Sequence, residues 1–280
     1  MQMTPLRLLI LAVIITGVGP VLVRESPVGP ASTAFWRLVI ALPLALWLGR
    51  GALELNRREK AWALLAGLLL AFDLVLWNNA ILRTSVMEAT VLVMLFPLIV
   101  AGIEIGFLGR RLGSKLIGGG AVAFAGTAVI ALSASRGESS LEGDLMALGA
   151  AVFYAGSMLI SAQLCQRADN RAVTPWVIIG GAVGTLPILM TEAAKMPHEP
   201  YGWAYLTLYG TLTFGSYALY NSALAKLPTT LVAISGYGQP VIATGLAILL
   251  LGEIPTIGGV VGAIVVIIGL FIATADRPTG

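Results

Sequence analysis

Ala80 and Ala223 stand 143 positions apart (223 − 80), and at that spacing the chain repeats itself. Trp77-Asn78-Asn79-Ala80 answers Tyr220-Asn221-Ser222-Ala223, Pro97 answers Pro240, and Leu108-Gly109-Arg110 answers Leu251-Gly252-Glu253. Gly119 then answers Gly262, and Gly126 answers Gly269, without a gap. The repeats lie in apolar stretches of about 20 residues, enough to cross roughly 30 Å of hydrocarbon at 1.5 Å per residue. Lipid offers the backbone no hydrogen-bond partners, so such stretches must be helices. Two related helical halves in a membrane place a shared site between them.

Composition removes the other classes. Hydrophobic residues make up 58% and charged residues 11%, against roughly 25% charged in soluble domains. Long apolar runs without ten-residue alternation exclude an outer-membrane barrel. The fold expected is an all-α membrane protein of ten transmembrane helices in two inverted five-helix repeats. The spans fall near 6–23, 31–49, 61–82, 86–108, 114–133, 144–165, 174–193, 202–224, 230–251 and 257–275. The loops leave no room for a soluble domain, so 1–280 is a single membrane domain. Repeat one covers about 1–136 and repeat two about 137–280.

Basic residues set the expected orientation. With the N-terminus inside, the inner loops and helix ends carry twelve: Arg7, Arg50, Arg57, Arg58, Lys60, Arg110, Arg111, Lys115, Arg167, Arg171, Lys226 and Arg277. The outer ones carry four: Arg24, Arg83, Arg136 and Lys195. Both termini are therefore expected in the cytoplasm, in a multi-pass protein of the cell inner membrane. An odd number of spans per repeat inverts the second copy. This bias also accounts for the sequence pI of about 9.2, so no nucleic-acid partner is implied. Residues 1–7 and the apolar run after them read as the first span, because the run is long for a signal peptide. The single Cys165 excludes an intrachain disulfide and offers no metal cluster.

The repeated residues also carry a family resemblance. An aromatic-Asn-x-Ala, an apolar stretch with a late proline, Leu-Gly-Glu and a Gly-rich helix resemble the EamA-type transporters of the drug/metabolite transporter superfamily. The first copy departs from this pattern, with Leu-Gly-Arg at residues 108–110. Within the superfamily the chain is most similar to the YddG-type exporters of aromatic amino acids. The resemblance implies a ten-helix basket, a central cavity between the repeats and efflux of small metabolites.

Helical spacing nominates the residues that would line such a cavity. Asp73, Trp77 and Asn78 come from the third span, Tyr154 and Ser157 from the sixth. The eighth span supplies Tyr217, Tyr220 and Asn221, and the ninth Tyr237 and Gln239. Aromatic faces suit an apolar or aromatic side chain and attract an ammonium. Amides both donate and accept, which suits the two ends of an amino acid. The other reading of Trp and Tyr is a membrane-interface belt, which fits Trp36, Trp47, Trp62, Trp176, Trp203 and Tyr205 near span ends. Pro97 and Pro240 are gating candidates, as paired hinges or as static kinks. Pro43 and Pro187 form a further possible pair.

Charges inside spans are the second clue, since ions in hydrocarbon are costly unless paired or wet. Arg37 and Glu88 are expected near an outer gate, with Arg37 pairing Asp73 or Glu88. Glu104 is expected to pair with Arg110 or Arg111. No enzymatic constellation is present: His198 stands alone in a loop, and no Walker-type phosphate loop occurs. The expected function is amino-acid export, aromatic residues included, by alternating access. The alternative is proton-coupled export of amphipathic drugs or other small metabolites. The expected partners are a small solute and membrane lipid. No cofactor is implied, and the sequence does not specify an oligomer.

Overall fold

The computed structural model describes residues 4–52, 54–84, 86–134, 140–251 and 256–275. The described residues form thirteen helices and no strand. Seven of the expected stretches are unbroken: α3 (Pro30–Leu48), α4 (Arg57–Arg83), α7 (Ser114–Ala134), α8 (Leu141–Cys165), α9 (Asn170–Leu189), α10 (Pro200–Leu224) and α13 (Ile257–Thr274). Three are interrupted: α1 (Pro5–Gly17) and α2 (Gly19–Arg24), α5 (Val86–Val93) and α6 (Phe96–Gly106), and α11 (Thr229–Ser235) and α12 (Gly238–Leu251).

Each interruption has a proline just beyond it. A proline ring collides with the carbonyl four residues back. For Pro97 that carbonyl belongs to Val93, the last residue of α5; for Pro240 it belongs to Gly236, just past α11. Pro20 does the same to Thr16 at the end of α1. Pro43 and Pro187, by contrast, lie inside continuous helices. The two central breaks touch: a Cβ on Gly236 would lie 2.8 Å from the Phe96 ring.

Polar residues set other helix ends. Asn56 and Glu59 form a reciprocal capping box that starts α4 at Arg57, a turn before its apolar stretch. Asp169 accepts from the backbone N–H of Arg171 and starts α9 early in the same way. Pro30 and Pro200 open α3 and α10, where the missing N–H costs no hydrogen bond.

Among the described residues eight stretches are long and apolar enough to cross a membrane, so the protein is a multi-pass membrane protein. The stretches outside that set are α10 and the α11–α12 segment. α10 carries Trp203, five tyrosines, Thr213, Ser216 and Asn221, which lower its hydropathy.

Helix bounds follow the sequence offset. Adding 143 to Arg57, Val86 and Ser114 gives 200, 229 and 257, where α10, α11 and α13 begin. The repeated glycines meet one another across α7 and α13. A Cβ on Gly119 would lie 2.6 Å from the Gly269 carbonyl oxygen, and one on Gly126 2.8 Å from that of Gly262. Moving up α7 means moving down α13, so the two helices run antiparallel with backbones in contact. The halves also cross elsewhere. Gly67 on α4 admits the backbone of α9 at Val177, and Gly210 on α10 admits α3 at Ile40. These close approaches draw α3, α4, α9 and α10 together around the centre.

Candidate functional site

A cavity of about 120 Å³ opens beside α3, α4 and α10. The α1 break supplies Thr16, Gly19 and Pro20, and the α5–α6 break supplies Val93, Met94 and Phe96. Arg37 comes from α3, Asp73, Leu74 and Trp77 from α4, and Tyr154 from α8. α10 contributes Tyr209, Thr213, Ser216, Tyr217 and Tyr220, and Gln239 stands at the start of α12. Four pairs in this wall are related by the offset of 143: Asp73 with Ser216, Leu74 with Tyr217, Trp77 with Tyr220, and Phe96 with Gln239. Interrupted helices at such a place expose backbone that continuous helices would hide.

A second chamber of about 30 Å³ lies toward the side of the bundle where α8 and α10 end. Ser157, Ser161 and Asn221 line it, and it shares Tyr154, Tyr217 and Tyr220 with the larger cavity. The three tyrosines are thus a common wall between the chambers. Phe96 braces Tyr154 edge to face, with ring centroids 4.6 Å apart. Pro97 is buried in the first turn of α6, which places Phe96 at the break.

Six of the ten nominated binding residues line the larger cavity: Asp73, Trp77, Tyr154, Tyr217, Tyr220 and Gln239. Ser157 and Asn221 line the smaller one. Two stand elsewhere. Asn78 is fully buried and donates from Nδ2 to the Pro30 carbonyl at 2.8 Å. Tyr237 is fully buried beside Phe124 of α7, ring centroids 5.9 Å apart, because the α11–α12 break turns it away from the cavity. Asn221 also clamps helices, donating from Nδ2 to Thr174 Oγ1 at 2.9 Å. The two repeated asparagines therefore do the same work, α4 to α3 and α10 to α9.

Among the gating candidates, Arg37 meets a tyrosine. Its Nη1 donates to the Tyr209 hydroxyl, and its guanidinium carbon lies 5.0 Å from the centroid of that ring. Among the described residues Arg37 and Asp73 share the cavity wall but form no ion pair. A neutral partner 172 positions away stands where Asp73 was one of the two carboxylates expected, a pairing no local pattern encodes. The Glu88 side chain lies outside the described residues. Pro240 is half-buried in the first turn of α12. Glu104 pairs with Arg110 at 2.7 Å, as expected, and is completely buried. Phe96 and Thr16 are cavity residues that helical spacing did not nominate, and Tyr209 joins them in the wall. Tyr209 shares the polar-aromatic face of α10, and Phe96 precedes the repeated proline, so both left a trace in the sequence. Among the described residues no group of His, Cys, Asp and Glu could hold a metal ion.

The model of the EamA-like transporter family matches residues 3–132 and 141–275. The chain belongs to this family. It is a membrane transporter of the drug/metabolite transporter superfamily. A protein of Bacillus subtilis (strain 168), described as the uncharacterized transporter YwfM, is 28% identical over 267 residues, 93% of this chain and 89% of that one. A solved crystal structure superposes with a TM-score of 0.80 at 17% identity, covering 99% of both chains. That likeness concerns the fold alone. Family members are transporters rather than enzymes, in keeping with a cavity of aromatic, hydroxyl and singly placed charged groups.

Proposed function

We infer that this transporter exports amino acids, aromatic ones included, across the cell inner membrane by alternating access through the larger cavity. In this reading ten spans form two inverted five-helix repeats, 1–136 and 137–280, with both termini in the cytoplasm. The three interrupted pairs each count as one span.

One observation carries the proposal: repeat-related residues converge on one cavity, with Trp77 facing the same space as Tyr220 and Phe96 the same space as Gln239. Inverted repeats place their equivalent residues about a common midplane site, and rocking one half against the other exposes that site to each side in turn. The antiparallel glycine contact of α7 and α13 supports this, since each of the two α7 glycines faces the repeat equivalent of the other. The three shared tyrosines separate a larger chamber from a smaller one, as a carrier needs when open to one side only. The direction of transport and the aromatic preference rest on the resemblance to YddG-type exporters.

A second reading has its own support. Asp73 lines the cavity with no ion pair among the described residues, and such a carboxylate could carry a proton for export of amphipathic drugs or metabolites. Proteoliposomes separate the two. Trans-stimulated uptake of labelled phenylalanine without a pH gradient supports amino-acid exchange. Movement of an amphipathic cation, driven only by a pH step, with phenylalanine immobile, overturns it.

A further inference from the structure

Arg37 and Asp73 are 8% and 7% exposed, face the same cavity, and carry opposite charges. Attraction between such charges is strong where water is scarce. The described side chains nevertheless leave them unpaired with each other. Arg37 is held by Tyr209, whose hydroxyl accepts from Nη1 while its ring attracts the guanidinium.

Their bonding capacity is largely unspent. A guanidinium has five N–H donors, and Arg37 Nε is buried without an acceptor. A carboxylate only accepts, and Asp73 makes no ion pair to a described cation. Two of the three nominated amides are engaged elsewhere, Asn78 on Pro30 and Asn221 on Thr174, which leaves Gln239 in the cavity wall. The cavity thus offers one cation and one anion, beside the aromatic walls of Trp77, Phe96, Tyr154 and Tyr220.

We propose that Arg37 and Asp73 are the two arms of a zwitterion clamp, Arg37 binding the α-carboxylate and Asp73 the α-ammonium of an amino acid whose side chain lies among the aromatic rings. The inference rests on the reading of amino-acid export and assigns its head-group contacts. A guanidinium suits a carboxylate because its planar fork matches two oxygens. An ammonium has donors only, which suits a carboxylate that can only accept. A zwitterion adds no net charge to the cavity it enters. A cationic amine would leave Arg37 unanswered, and an anionic acid would leave Asp73 unanswered. Uncompensated charge of this kind is the basis of discrimination.

Calorimetric binding to the full purified chain tests the clamp with three ligands: phenylalanine, 3-phenylpropanoate lacking the ammonium, and 2-phenylethylamine lacking the carboxylate. Wild type should bind phenylalanine at least roughly tenfold more tightly than either analogue, the scale of one charge-assisted contact. Asp73→Asn should remove most of the advantage over 3-phenylpropanoate and keep the advantage over 2-phenylethylamine. Arg37→Gln should do the reverse. If Arg37→Gln does not fold, the Asp73→Asn ratios decide alone. Ratios unchanged from wild type overturn the clamp, and so does a wild type that binds 2-phenylethylamine as tightly as phenylalanine. Unchanged ratios with loss of pH-driven flux in Asp73→Asn reassign that residue to a proton. Counterflow of phenylalanine by wild type keeps the two levels apart. Counterflow with unmoved ratios removes only the clamp, whereas neither counterflow nor binding of phenylalanine removes the amino-acid reading with it.

Discussion

Glu104 of α6 caps the N-terminus of α11 from the other half of the chain: its Oε2 accepts the backbone N–H of Thr230 at 3.2 Å and the Thr230 hydroxyl as well. Pro228, the residue at the cap position, supplies no side-chain bond of its own. The other oxygen of Glu104 holds Arg110, which reaches Gln166 at 3.3 Å, and Gln166 reaches the Leu224 carbonyl at 3.4 Å. Four segments are thereby joined at the side where α4 begins and α8 ends. On the opposite side Glu192 does the equivalent for α3, accepting from Ala31 N, Ser32 N and Ser32 Oγ. Each side of the bundle is thus held by a carboxylate that caps a helix from the other half.

Glu104→Gln keeps the shape of the side chain and removes its charge. Hydrogen bonds to charged groups are worth about 1.5–3 kcal/mol, and that range is the expected loss of stability. Ser161 lines the smaller chamber behind this network. A cysteine at Ser161, in a Cys165→Ser background, should react several-fold faster with a reagent from the Glu104 side once Glu104 is neutralised. Equal reaction rates with and without the substitution would show that the network holds the fold but does not close the chamber.

Neighbouring glycines on α7 give an internal control for helix contact. A Cβ on Gly119 would sit 2.4 Å from Ala273 N, whereas one on Gly118 meets nothing within 4 Å. Overpacking of this kind costs roughly 1–3 kcal/mol, so Gly119→Ala should unfold earlier in detergent. Gly118→Ala should be neutral, or stabilise by up to about 1 kcal/mol through helix propensity. The opposite order would mean that α7 and α13 are not in backbone contact.

The repeated asparagines mark the boundary of what the sequence could tell. Position and repetition were legible, because Asn78 and Asn221 stand at the offset of 143. Their partners were not, because an amide suits a solute and a neighbouring backbone equally. The breaks at Pro97 and Pro240 were legible as kinks, since a proline cannot spare the carbonyl four residues back. Helix starts at Arg57 and Asn170 were placed too late, since hydropathy registers the hydrocarbon span and capping residues extend helices beyond it. The Arg37–Tyr209 contact joins residues 172 apart, and only tertiary packing brings them together.

Asn78→Leu therefore tests a clamp rather than a binding group. Removing its bond to Pro30 should cost about 0.5–1.5 kcal/mol of stability, the net worth of one neutral hydrogen bond. Phenylalanine affinity of the folded protein should stay within about twofold, below 0.5 kcal/mol. A large loss of affinity at full stability would return Asn78 to the cavity.

Orientation can be read by labelling. Arg58 lies at the start of α4, and Met196 lies in the segment after α9, on the opposite side of the bundle. In a Cys165→Ser background, Met196→Cys should react with an impermeant thiol reagent in intact cells, and Arg58→Cys should react only after lysis. The expectation rests on the excess of basic residues on the Arg58 side. Reaction of Arg58→Cys in intact cells, with Met196→Cys protected, would invert the topology.

The aromatic wall gives the most direct test of substrate class. Trp77 and Tyr220 are repeat equivalents, and both face the larger cavity. Contacts between aromatic rings are worth about 0.5–1.5 kcal/mol beyond the area they bury. Trp77→Ala and Tyr220→Ala should therefore each raise the half-saturation concentration for an aromatic amino acid by several-fold or more. Alanine and other small aliphatic amino acids reach less of the wall and should be affected less. Tyr220 is also part of the partition between the two chambers. Its loss should increase leak as well, which Trp77→Ala should not do. Folding is controlled by measuring unfolding of both variants in detergent. If both fold normally and transport aromatic and aliphatic amino acids with wild-type preference, the rings are packing residues and the aromatic assignment fails.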